Sequence, residues 1–85
     1  MAEVWFVYIV RCGDGSLYAG IAKDVEQRVV AHEAGTGARY TRGRGPIQLV
    51  ASAGPFTKGD ALRLEYRVKK APAAKKIAVL DACIP

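Results

Sequence analysis

Two short runs of β-branched and aromatic residues, Val4 to Cys12 and Ser16 to Ile21, are separated only by Gly13-Asp14-Gly15. That pattern is a β-hairpin signature, and it constrains the chain more than any other stretch. The length of the turn decides which side chains share a face. A three-residue loop with Gly15 in the left-handed conformation sets Cys12 opposite Ser16 and Val10 opposite Tyr18, and period-two alternation then puts Tyr8, Val10, Tyr18 and Gly20 on one face. A two-residue Asp14-Gly15 turn instead sends Tyr8 and Tyr18 to opposite faces.

Asp24-Val25-Glu26-Gln27 reads as an N-cap with a partner at the third helical position, so a helix is expected over about 25–34, ending at Gly35. At about 100° per residue, Val25, Arg28, Val29 and His32 cluster on one side of it. Residues 35–46 hold four glycines, three arginines and a proline, the composition of a loop with a basic tip. Ile47 to Ala53 reads as a third strand ended by Gly54-Pro55. Thr57 caps a second helix over about 58–70, which Pro72 terminates, and a third is expected over about 73–82 with Ile77, Leu80 and Cys83 turned inward. The fold class is therefore α+β: a three-stranded antiparallel sheet (about 4–12, 16–21 and 47–53) flanked by three helices, in one domain spanning 1–85.

At 85 residues the core is small, which favours a shallow surface site over an enclosed cofactor pocket. The apolar runs are far shorter than the roughly 20 residues of a membrane span, and Met1-Ala2-Glu3 is not a signal-peptide start, so a cytoplasmic protein without membrane contact is expected. Cys12 and Cys83 lie far apart with no zinc-ligand spacing and are expected to be reduced. The net charge of +5 is unevenly placed. Arg39, Arg42 and Arg44 lie in a segment with no acid, and residues 63–76 carry six bases against Glu65 alone. Concentrated positive charge of this kind suits a polyanion.

Glu65 is the unusual residue of the second helix. With Ala61, Leu62, Leu64, Tyr66 and Val68 plotted as an apolar arc of roughly 160°, it falls near the centre. A carboxylate there needs a cation: an arginine or a lysine, with Arg28 in a structural ion pair as the plain reading, or a divalent metal such as Mg²⁺. Tyr8 and Tyr18, taken singly, suit ordinary strand packing; Arg28 suits a solvated helix position and His32 a hydrogen-bonded one. The loop Arg39-Tyr40-Thr41-Arg42-Gly43-Arg44 reads either as a solvated turn or as a phosphate-binding tip.

As an ordered set these positions resemble the GIY-YIG nuclease domain. Val7-Tyr8 is followed by Tyr18-Ala19-Gly20, then by Arg28, His32 and, on a later helix, Glu65. The likeness covers nearly the whole chain and is greatest to small stand-alone bacterial members. It departs from the fullest pattern where Phe6-Val7-Tyr8 replaces Gly-Ile-Tyr, where Ala19 replaces isoleucine, and where Ile21 stands in place of a lysine found in some repair-type members.

The resemblance implies hydrolysis of phosphodiester bonds with Mg²⁺ or Mn²⁺. By position, Tyr18 would act as general base or orient the attacking water, Tyr8 would hydrogen-bond within the site, and Arg28 would hold the scissile phosphate. His32 would assist proton transfer or contact the phosphate, and Glu65 would bind the metal. Arg39, Tyr40, Arg42, Arg44, Lys69 and Lys70 are the expected nucleic-acid contacts. A structure-selective DNA endonuclease is the leading expectation, because no helix carries an evident set of base-reading side chains. The alternatives are a non-catalytic nucleic-acid-binding domain that depends on a protein partner, and a nuclease directed at RNA.

Overall fold

A computed structural model describes residues 3–37 and 41–82. The elements run β1 (Trp5–Arg11), β2 (Leu17–Ala22), α1 (Val25–Glu33), β3 (Gln48–Phe56), α2 (Lys58–Lys70) and α3 (Ala73–Asp81). The strands form one antiparallel sheet, as expected, in the order β2-β1-β3. The expected three strands and three helices are all present.

The hairpin takes the three-residue turn. Gly15 has φ of 86°, the Cys12 amide donates to the Ser16 carbonyl at 2.8 Å, and Val10 pairs with Tyr18. Asp14 completes the turn by accepting from both the amide and the hydroxyl of Ser16. Tyr8 and Tyr18 consequently share a face of the sheet.

Alternation gives the sheet two different faces. Val7, Ile9 and Ala19 point into the main core, where they meet Ala61, Leu64 and Val68 of α2 and Leu80 of α3. Tyr8, Val10, Cys12 and Ala22 point the other way, into a second cluster with Tyr18 and with Val25 and Val29 of α1. Cys12 is a buried free thiol; Cys83 lies outside the described residues. Asp24 caps α1 by accepting from the Gln27 amide at 3.1 Å, and Thr57 caps α2 by accepting from the Asp60 amide at 3.2 Å. No helix among the described residues is long and apolar enough to cross a membrane.

Two local expectations need correction. β3 does not end at Gly54-Pro55 but continues to Phe56, which pairs with Trp5. β3 is an edge strand and its pairing with β1 shifts register between Trp5 and Val7, so a proline lacking an N–H is tolerated there. The apolar arc of α2 is also narrower than its sequence suggests. Only Ala61, Leu64 and Val68 are buried, whereas Leu62 and Tyr66 are 45% and 60% exposed. A three-stranded sheet covers one stripe of this helix, which moves Glu65 from the centre of the buried face to its margin.

Candidate active site

β1 and β2 bring the two tyrosines together, and α1 adds the histidine. The ring centroids of Tyr8 and Tyr18 lie 6.5 Å apart, those of Tyr8 and His32 5.8 Å, and those of Tyr18 and His32 5.4 Å in an edge-on arrangement. Tyr8 is 1% exposed and stands opposite Gly20 in the β1–β2 ladder. A Cβ on residue 20 would come within 2.5 Å of the Tyr8 hydroxyl oxygen, so glycine is what lets the ring cross β2 at this point.

His32 is buried and tied at both nitrogens. Its Nε2 is hydrogen-bonded to the Tyr8 hydroxyl at 2.8 Å and its Nδ1 to the Thr41 hydroxyl at 2.7 Å. A neutral imidazole donates through one nitrogen and accepts through the other, so the protons along Thr41–His32–Tyr8 run in a single direction. Arg28 can only donate, and its polar contact with the Tyr8 oxygen favours Tyr8 giving its own proton to Nε2 while Nδ1–H donates to Thr41. Gly37 makes room for this, because a Cβ there would stand 2.4 Å from Nδ1.

The electrostatics reinforce the order. Burial pushes the Tyr8 phenol up from its ordinary value of 10.0; contact with Arg28 opposes this, while Tyr18 and Glu65 add to it. Tyr8 therefore stays protonated at neutral pH. Burial, with the charge of Arg28, holds His32 below 6.5, so the imidazole is neutral there.

Glu65 and Lys69 approach from α2. The Glu65 side chain is 18% exposed, and its carboxylate lies 3.7 Å from the Lys69 ammonium, which itself sits 5.6 Å from the centre of the Tyr18 ring. The expected cation for Glu65 is thus met within its own helix by Lys69 at i+4. Among the described residues no three His, Cys, Asp or Glu side chains converge as a metal cage. A single partly exposed carboxylate fits a hard cation that completes its shell with water and substrate oxygens.

The basic segments behave unequally. Arg39 and Tyr40 lie outside the described residues. Arg44 is not left without an acid, as the local sequence suggested: it pairs with Asp14 of the hairpin turn at 2.5 Å, and its carbonyl accepts from the Gly13 amide. Ser16, first through its side chain and then through its amide, and Arg44 after it, hold the Asp14 carboxyl down at about 2. Arg42 is exposed. Lys70 lies over the Tyr66 ring at 4.7 Å, on the outer face of α2. Ile21 and Lys23 line one groove with Arg28, so an ammonium is present near the position where Ile21 replaces lysine.

Thr41 is the residue that sequence reasoning passed over. It is 1% exposed yet lies within a run of arginines, and a short hydroxyl among charged neighbours gives no sign that the loop folds back over His32.

Comparison with known proteins finds relatives over nearly the whole chain. A family model described as the GIY-YIG catalytic domain matches residues 4–78. The chain is 52% identical over 78 residues to a UPF0213 protein of Nitratidesulfovibrio vulgaris, covering 92% of this chain and 71% of that one. It is 48% identical over 76 residues to a UPF0213 protein of Staphylococcus epidermidis, covering 89% and 93%. Two solution NMR structures are similar in fold. The UPF0213 protein BH0048 from Bacillus halodurans has a TM-score of 0.57 at 44% identity, and EF2693 from E. faecalis a TM-score of 0.64 at 30% identity; each match covers 94% of this chain and 85% of the other.

Proposed function

We propose, on the premise that this chain belongs to the GIY-YIG catalytic-domain family, that it is a divalent-metal-dependent endonuclease hydrolysing DNA phosphodiester bonds with selectivity for structure over sequence. The observation that carries this reading is the convergence of Tyr8, Tyr18 and His32 beside Arg28, with Glu65 and Lys69 entering from the opposite helix layer.

Each side chain has a task suited to its surroundings. Arg28 meets the scissile phosphate and offsets the charge that builds on its oxygens as water adds. Tyr18, partly exposed beside Lys69, orients the attacking water through its hydroxyl. Tyr8, kept protonated by burial, acts as a hydrogen-bond donor and not as a base. Neutral His32 is hydrogen-bonded to both Tyr8 and Thr41 and so fixes the Tyr8 hydroxyl. Glu65 would hold the metal, which when bound supplies positive charge to the phosphate and to the leaving oxygen. Arg42 and Lys69 contact the nucleic-acid backbone, contacts that carry no base sequence.

The test is cleavage of labelled branched, flapped and linear DNA by wild type and Glu65→Ala, with Mg²⁺ or Mn²⁺. Wild type is expected to cut branched or flapped DNA, and the variant to lose about a hundredfold or more. Undiminished cleavage by the variant overturns the assigned site, and cleavage of RNA but not DNA transfers the site to the other polymer.

A further inference from the structure

The one tryptophan of the chain lies at the start of β1, beside a groove of about 600 Å³ lined by Ile21, Lys23, Asp24, Gln27 and Arg28 as well as by Trp5 itself. Arg28 belongs also to the catalytic cluster, so the groove is continuous with the site. Its charge is organised around the indole. The ammonium groups of Lys23, from the β2–α1 turn, and Lys58, from the start of α2, each sit 5.3 Å from the ring centre. Both are within cation–π range.

A carboxylate of the chain already occupies this cationic corner. Glu3 accepts from Lys23 at 2.8 Å, and Lys23, with a smaller contribution from Lys58, holds its carboxyl below the ordinary range. Both partners of that ion pair are more than half exposed, so it is a weak contact that a stronger anion can displace. Asp24, the acid in the groove wall, is engaged as the cap of α1.

We infer that this groove is a subsite for one unpaired nucleotide of the substrate strand, next to the scissile phosphate. Its base stacks on Trp5, and its phosphate displaces Glu3 from Lys23 and lies between Lys23 and Arg28. An indole whose ring carries two mobile ammonium side chains over it answers the two constant features of a nucleotide, a π-surface once a lysine swings aside and a phosphate for that lysine to meet, without reading the base. Its size is in the range of a small-ligand site. This subsite presupposes the nuclease reading and narrows the substrate to strands with an unpaired nucleotide beside the cut.

Because Trp5 is the sole tryptophan, its fluorescence reports on the groove directly. A short oligothymidylate titrated into wild type in EDTA is expected to quench Trp5 emission in parallel with its binding measured by anisotropy. Trp5→Leu, checked for folding by circular dichroism, should weaken single-strand binding on the order of tenfold while leaving duplex binding unchanged. Glu3→Gln should tighten single-strand binding more than Asp81→Asn, which removes an equal charge from the end of α3.

Binding without a change in Trp5 emission, or equal effects of Glu3→Gln and Asp81→Asn, overturns the subsite. So does a quench by free thymidine monophosphate as strong as that by the oligonucleotide, which would mark a free-nucleotide site. An equal quench by oligouridylate supports stacking that ignores the sugar. Cleavage of flapped DNA without a quench removes the subsite and leaves the nuclease reading standing, whereas a quench without cleavage under any metal removes the nuclease reading alone.

Discussion

Gly20 and Tyr8 face each other across the β1–β2 ladder, and the Tyr8 hydroxyl fills the space that a side chain on residue 20 would need. The last residue of the Tyr18-Ala19-Gly20 triplet thus exists for the tyrosine of the other triplet. Gly20→Ala must move a buried ring that is fixed by His32. It is expected to cost about 1–3 kcal/mol of stability and to reduce cleavage strongly, with the loss of the Tyr8–His32 contact visible in the imidazole NMR resonances. A variant of wild-type stability and activity would refute the packing account.

Thr41 is expected to act by holding His32. Thr41→Val keeps the shape but leaves a buried imidazole nitrogen without its partner, a cost of about 1–3 kcal/mol. Turnover should fall about tenfold with little change in KM, and Thr41→Ser should restore both. A Thr41→Val enzyme with normal turnover, or a serine variant as impaired as valine, would show that Thr41 is only packing.

Stability should depend on pH through His32. Its folded-state value lies below the unfolded 6.5, so between these two values the unfolded chain binds more protons than the folded one. Its stabilising contribution is therefore complete above pH 6.5 and lost as pH falls through the depressed value. Thermal denaturation from pH 8 to 5 is expected to show Tm dropping below about 6.5, and a His32→Gln variant should lack that component. An equal slope in both proteins would exclude His32 as its source.

Arg42 and Arg44 should separate on a salt titration of DNA binding. Arg42→Ala is expected to lower the dependence of log Kd on log salt by about one unit, as for a phosphate contact. Arg44 holds Asp14, so Arg44→Ala should in addition speed amide exchange at Gly13, whose N–H is bonded to the carbonyl of residue 44. Identical salt slopes for Arg42→Ala and wild type would remove Arg42 from the interface.

Local rules determined much of this protein from its sequence. Alternation, turn chemistry and capping residues act over a few neighbours, which is why the hairpin and the caps at Asp24 and Thr57 were legible, while two turn lengths fitted the same residues and the structure decided that Tyr8 and Tyr18 share a face. The tertiary structure decided what depends on how layers cover one another. A sheet only three strands wide left Leu62 and Tyr66 of α2 exposed and moved Glu65 to a margin beside Lys69; the edge position of β3 admitted Pro55. Chain closure brought Thr41 onto His32, Arg44 onto Asp14, and two lysines, one from the β2–α1 turn and one from the start of α2, onto Trp5. Those contacts join residues 9, 30, 18 and 53 positions apart, beyond the reach of any local pattern.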